Sequence, residues 1–258
     1  MTSLFDQIIF GPVRSRRLGL SLGVNLLPVD AKLCSFDCIY CECGWNADHP
    51  AAGHRFHPRE AVRNELDATL RRMAAAGTPP DVITFAGNGE PTLHPDFEAV
   101  IDDTISLRDR WTPGAKVSVL TNATRIADPA VFRALLRVDH PILKLDSAFD
   151  ATARRINRPQ SPAWSVRGVV EAMRAFEGRI IVQTMFLRGT CDGEPVDNTT
   201  ETEVAAWLQR IAEIRPRQVM VYSLDRDTPC PTLVQVPREE LQRIAARVEA
   251  LGIACSVA

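Results

Sequence analysis

Six short apolar runs punctuate the chain, at 23–27, 82–86, 117–120, 142–147, 180–186 and 219–222, with helix-patterned stretches between and after them. Over 58–76 the apolar stripe is Val62, Leu66, Leu70 and Met73, opened by Pro58 and stopped by Gly77. Val204, Trp207, Leu208 and Ile211 mark another over 202–214, and Leu241, Ile244, Val248 and Leu251 mark the last. Strand–helix alternation sustained along a chain commits it to a parallel sheet with right-handed crossovers, because parallel neighbours cannot be joined by a tight turn. With 45% apolar residues there is enough material for a sizeable core. Folds of this kind bind ligands at the C-terminal edge of their strands. Chemistry is therefore expected in the segment directly after each run.

Those segments are distinctive. The first is Cys34-Ser-Phe-Asp-Cys38-Ile-Tyr-Cys41, a C-x3-C-x2-C spacing that can aim three thiolates at one point. Three thiolates suit a cubane iron–sulfur cluster with one iron left open. A structural zinc site closes with four ligands, usually from paired knuckles, and no second knuckle or His-x3-His follows. Cys43 stays open as a fourth ligand, although two residues from Cys41 it crowds the geometry. After the second run, Gly87-Asn88-Gly89-Glu90 lets the backbone approach a ligand closely and offers a carboxylate. The third run ends in Thr121-Asn122, a pair that suits a ligand contact and a turn cap equally. In the fourth, period 2 puts Lys144 and Asp146 on one face, where burial requires that they pair or meet a ligand. In the fifth, Gln183 is a polar residue within an apolar strand and asks for a partner.

The cysteine spacing, with Tyr40 just before the last cysteine, resembles the signature of radical S-adenosylmethionine (SAM) enzymes. The resemblance implies an α/β fold, a (β/α)6 partial TIM barrel with a parallel sheet. It implies a [4Fe–4S] cluster on Cys34, Cys38 and Cys41, with SAM on the open iron. The reduced cluster would cleave SAM to methionine and a 5′-deoxyadenosyl radical. Tyr40, Gly87, Asn88, Gly89, Glu90, Asn122, Lys144, Asp146 and Gln183 become candidate SAM contacts, with Asn88 standing where that family often has a second glycine. An external one-electron donor, flavodoxin- or ferredoxin-like, is implied as partner. The runs 14–25, 88–95 and 222–226 look like the wyosine-synthase-like branch, whose best-known members build a tricyclic base on transfer RNA and carry an N-terminal cysteine set; no cysteine precedes Cys34 here. Three uses follow: a radical enzyme acting on RNA, one acting on a peptide, a protein glycyl site or a small molecule, and a cluster-binding module without catalysis.

The expected organisation is one domain over 1–258, with a lead-in segment at 1–22, a barrel core at 23–251 and a tail at 252–258 that includes a short strand at 254–257. A net charge of −2 gives no bulk basic character for nucleic acid. The first residues lack a basic-then-apolar signal, and no apolar run approaches ~18 residues, so no membrane partner is expected. Seven cysteines, three of them in one tight motif, read as metal binding in a reducing cytoplasm rather than a disulfide framework. Cys43, Cys191 and Cys230 all follow strands and are placed on the same face, as unrelated thiols, a reactive site or ligands of an auxiliary cluster. Arg14, Arg16 and Arg17 suit an anion or a solvated surface. Arg154, Arg155 and Arg158 suit the rim of the site. His49, His54 and His57 lie in a polar loop without a metal-binding spacing.

Overall fold

The computed structural model describes residues 4–15 and 18–258. Among the described residues the strands are β1 (Ile9–Ser15), β2 (Gly19–Val24), β3 (Val82–Phe85), β4 (Lys116–Thr121), β5 (His140–Lys144), β6 (Ile181–Met185), β7 (Leu187–Cys191), β8 (Glu194–Asp197), β9 (Gln218–Tyr222), β10 (Leu233–Gln235) and β11 (Ala254–Val257). The main sheet runs β1-β2-β3-β4-β5-β6-β9-β11. From β2 onward its neighbours pair in parallel, and β2, β3, β4, β5, β6 and β9 are the six expected strands. The sheet keeps two edges, so it is a partial barrel.

The helices are α1 (Arg59–Ala75), α2 (Phe97–Trp111), α3 (Pro129–Arg137), α4 (Asp150–Asn157), α5 (Val166–Arg174), α6 (Glu201–Ile214) and α7 (Arg238–Glu249). Their starts follow local chemistry. The Asp128, Ser165 and Thr200 side chains each accept a hydrogen bond from a first-turn N–H, and Pro58 and Pro237 stand at the N-caps of α1 and α7. Alternation along the strands sorts the two faces. Leu22, Ile83, Phe85, Val117, Val119, Leu143, Val182, Val219 and Val221 pack with the helix stripes in the main core. The intervening residues, among them Ser21, Thr84, Ile142, Gln183 and Met220, line the barrel interior.

Several bounds in the structure differ from the expected ones. The first strand is Gly19–Val24, not 23–27. Leu26 and Leu27 are buried within the loop that follows, so the apolar run outlasts the strand. The boundaries at 23 and 251 cut through the sheet: β1 pairs antiparallel with β2, and β11 pairs with β9 at the other edge. The segment at 188–197, outside the six apolar runs, forms the β7–β8 hairpin, which with β10 makes a three-stranded antiparallel sheet. Its polar residues concealed it, because only one face is covered. The fourth run also ends early, at Lys144, leaving Asp146 and Ser147 in the turn beyond.

Asn198 locks this small sheet to the barrel. It is buried, its Nδ2 donates to the carbonyls of Asp146 and Met185 (2.8 Å each), and its Oδ1 accepts the Leu187 N–H at 2.8 Å. Asn198→Ala leaves three backbone groups without partners and is expected to cost about 3 kcal/mol. Urea unfolding followed by circular dichroism measures this; an unchanged midpoint would mean that water replaces the amide.

Candidate active site

The cysteine loop hangs from the strand ends on both sides. On one side the Leu33 N–H donates to the Asn88 carbonyl (2.9 Å), and the Glu90 N–H donates to the Leu33 carbonyl (3.0 Å), closing a parallel bridge between Leu33 and Gly89. Gly89 has φ +136°, and a Cβ there would sit 1.9 Å from the Leu33 carbonyl oxygen. Only glycine permits this approach. On the other side the Asp37 and Ile39 N–H groups donate to the carbonyls of Asn157 and Ile156, at 3.0 Å each. The loop therefore spans from the turn after β3 to the end of α4, across the mouth of the barrel.

Glu90 is buried and fully engaged. Its Oε1 accepts from the Thr92 N–H (3.1 Å) and from the hydroxyls of Thr92 (2.5 Å) and Thr121 (2.6 Å), while its Oε2 accepts from the Asn122 N–H (2.6 Å). Burial pushes its pKa up against these donors. Asn122 in turn donates to Ser35 Oγ (2.9 Å) and toward Cys34 Sγ (3.6 Å). Asn88 is buried too, and its amide is used by the chain: it accepts the Phe5 N–H and donates to the carbonyls of Phe5 and Pro28. The residue that departs from the expected glycine thus clamps the N-terminal segment.

Under the loop lies a second network. Asp146 Oδ2 accepts from Tyr40 Oη (2.5 Å) and Asn157 Nδ2 (2.7 Å), and its Oδ1 accepts the Met185 N–H (2.9 Å). Lys144 Nζ donates to Tyr222 Oη at 2.9 Å, stands 3.8 Å from Asp146 and lies over the rings of Tyr40 and Tyr222. Burial alone would pull the Lys144 pKa down, but Asp146, Tyr222 and Cys38 outweigh it and hold the ammonium. Gln183 pairs in register with Lys144 and Met220 and lines an interior cavity of about 350 Å3. No hydrogen bond engages its side-chain amide among the described residues.

Each cysteine of the motif has its own polar neighbour. Asn122 approaches Cys34, and Asn157 Nδ2 approaches Cys38 Sγ at 3.6 Å. Buried Lys32 faces Cys41 while donating to the Gly44 carbonyl (2.6 Å) and Asp37 (3.2 Å). A hydrogen bond from Cys43 draws the Cys41 pKa down to about 6; burial opposes this and Lys32 reinforces it. Burial pushes Cys38 up to about 12 and raises Cys34 further. Cys43 itself is packed, its thiol directed at the Gly87 carbonyl (3.6 Å). Among the described residues no three His, Cys, Asp or Glu side chains are grouped to hold a single metal ion. The three thiols therefore do not converge on one point, which a cubane, presenting a separate iron to each thiolate, does not require.

Lys32, Asn157 and Tyr222 were not singled out from the sequence. Lys32 carried one signal, as one of the chain's few lysines, two residues before Cys34. Asn157 carried none, since it reaches the loop only because α4 ends there. The arginines near the rim tie loops together: Arg154 donates to the carbonyls of Pro162 and Trp164, Arg155 to that of Pro195, and Arg158 to Asp192. Arg14 lines the cavity, and Arg16 and Arg17 lie outside the described residues. His54 pairs with Asp30, and the His57 carbonyl meets the His94 ring.

The family model of the radical SAM superfamily matches residues 30–202. A UPF0026 protein of Synechocystis sp. is 32% identical over 226 residues, covering 86% of this chain and 77% of that protein. A UPF0026 protein of Helicobacter pylori is 31% identical, covering 79% of this chain; the chain spans 63% of its length, less than two thirds. The fold is similar to that of a radical SAM methyltransferase from Sphaerobacter thermophilus (TM-score 0.69, 15% identity, 92% of this chain and 65% of that one). It is also similar to TYW1 with a lysine–pyruvate adduct bound (TM-score 0.61, 15% identity, 89% of this chain and 73% of that one).

Gly89→Ala tests the suspension of the loop. It is expected to cost at least about 1–3 kcal/mol, the range for backbone held where only glycine fits, and to lower the iron retained after anaerobic reconstitution. Parent-like stability and iron content would show that the bridge to Leu33 does not hold the loop.

Proposed function

The chain belongs to the radical SAM superfamily, and from that premise we propose that it is a radical-generating enzyme centred on Cys34, Cys38 and Cys41. The observation that carries this reading is the separate donor beside each thiol: Asn122, Asn157 and Lys32. Groups of this kind around sulfur favour added electron density, which a cluster ligand set needs on reduction. When bound, a reduced [4Fe–4S] cluster supplies the electron that cleaves SAM to methionine and a 5′-deoxyadenosyl radical.

The residues divide the remaining work. Lys144 uses one of its three N–H groups on Tyr222, which leaves donors for an anionic ligand group such as the SAM carboxylate. Gln183 offers its amide to the cavity, and Gly87 and Gly89 let the turn after β3 pack against Asn25 and the Leu33 carbonyl, which seats the cysteine loop. Glu90, Asn88 and Asp146, expected as contacts, serve by fixing the frame, because their polar atoms are already engaged. The Glu42–Arg226 ion pair, at 2.7 Å, joins the cysteine loop to the turn after β9 at the edge of the cavity.

A small molecule or peptide suits the surroundings better than RNA. The groove beside the site, about 820 Å3, carries Asp48, Asp225 and Asp227 with Arg226, a lining that does not attract a polyanion. A lysine adduct like that of TYW1 is also disfavoured. Lys144 is held as an ammonium, Lys32 is buried beside the thiols, and Lys116 pairs with Asp139 at the opposite strand end. The partner is a one-electron donor of the flavodoxin or ferredoxin type.

Cys34→Ala, Cys38→Ala and Cys41→Ala should each abolish 5′-deoxyadenosine formation with dithionite and SAM. Asn157→Leu should retain iron but show a lower cluster reduction potential in an electron paramagnetic resonance (EPR) titration, because a donor to sulfur is lost. Cell peptides or small molecules should accelerate 5′-deoxyadenosine formation more than cell RNA. Tight zinc in place of iron, or SAM cleavage that survives all three cysteine changes, would contradict the proposal.

A further inference from the structure

Two cysteines outside the loop lie against it. Cys191 ends β7, Cys230 precedes β10, and the two are joined as a disulfide with Cα atoms 5.6 Å apart. Both are buried, in the apolar cluster that includes Ile39 and Tyr40. The Cys230 N–H donates to the carbonyl of Ile39, the residue after Cys38, at 3.4 Å. On the other side the Arg158 guanidinium lies 3.5 Å from Cys191 Sγ. The preceding residue, Asn157, is the one that approaches Cys38 and bonds Tyr40 and Asp146. Each half of the pair is thus one short step from the surroundings of Cys38.

We propose that Cys191 and Cys230 form a reversible dithiol–disulfide couple, a second redox site whose state is felt by the cysteine loop. Two observations support it. The bond is not needed to align its two segments: β7 and β10 already pair through Gly189–Leu233, Arg188–Val234 and Leu187–Gln235, and Thr232 Oγ1 donates to the Thr190 carbonyl. The Arg158 charge, fixed by Asp192 at 2.6 Å and by the Trp45 ring at 4.5 Å, faces Cys191 and favours a thiolate there, which stabilises the reduced form.

The exchange needs a reductant that supplies two thiols, as one dithiol or as two glutathione molecules. Its thiolate attacks Cys230 Sγ, the Cys191–Cys230 bond breaks, and Cys191 leaves as a thiolate facing Arg158. The second thiol of the reductant then displaces Cys230 from the mixed disulfide. Two electrons pass to the pair, the reductant departs as its own disulfide, and its protons go to Cys230 and to Cys191 or solvent. Opening the bond lets the sulfurs move apart. That shifts Cys230 against the Ile39 carbonyl and Cys191 against Arg158. The couple stands without the proposed function; only its consequence at the cluster rests on that reading.

The test uses the full chain, free of cluster, equilibrated in glutathione buffers of graded thiol-to-disulfide ratio. Acid quenching, differential alkylation and peptide mass spectrometry then report Cys191 and Cys230. A single two-electron transition of the folded protein within the glutathione range is expected. Arg158→Leu should shift the midpoint about tenfold toward more reducing buffer, through loss of the stabilised thiolate. In the reconstituted protein, a Cys191→Ser, Cys230→Ser double variant should reproduce the cluster EPR spectrum of the dithiol form and differ from that of the disulfide form. A pair that opens only in denaturant, or one that stays as thiols in every buffer, overturns the couple. A pair that cycles while the cluster spectrum stays constant overturns the coupling. Because the thiol readout needs no cluster, failure to form a cluster is seen separately.

Discussion

Two hydrogen bonds to Leu33 carry the architecture of the site. Its N–H reaches Asn88 and its carbonyl receives Glu90, so the chain just before Cys34 runs as a short extra strand beside the turn after β3. The contact exists because Gly89 has no side chain. From there the constraint passes outward. Glu90 binds Thr121 and Asn122 at the end of β4, and Asn122 reaches back to Ser35 and Cys34. The far side of the loop is fixed by α4, whose last residues accept the Asp37 and Ile39 N–H groups. Two strand ends and one helix end therefore determine where three thiols can stand.

Buried charge is concentrated here. Lys32, Glu90 and Asp146 are each 2% exposed or less, and Lys144 is largely covered. Such groups are costly unless paired and hydrogen-bonded, and paired ones add little net stability. The proposed function gives their placement a reason, since charges beside the cysteines would set the potential there. The chain has only two tyrosines, and both rings face Lys144. Two of its lysines lie within this site.

Much of this was legible in the sequence. The six-fold alternation gave the parallel sheet, since each strand is buried on the helix side by β-branched and aromatic residues that mark it. The cysteine spacing located the loop; Lys144 ends β5 with its ammonium over the Tyr40 ring, and Gln183 sits beside it in register. What escaped depends on contacts between distant segments. The β7–β8 hairpin is half exposed and carries no strong alternation. Asn157 reaches Cys38 across 119 positions of sequence. Glu90 and Asn88 lie in the turn beside the cysteine loop, but a motif cannot say whether a carboxylate or an amide faces a ligand or the chain itself. Here the partners are Thr92, Thr121, Asn122, Phe5 and Pro28. The pairing of Cys191 with Cys230 ran against the reducing-compartment reading for the same reason, because it depends on two turns meeting.

The central claim is that the loop of Cys34, Cys38 and Cys41 presents a cluster with one iron available to SAM. The most direct measurement is the EPR spectrum of the anaerobically reconstituted, dithionite-reduced protein with and without SAM. The account predicts a [4Fe–4S]+ signal whose g values change when SAM is added, since SAM binds the iron that no cysteine holds. A reduced-cluster signal that SAM leaves unchanged would contradict it, because the cluster would then be closed by a fourth protein ligand.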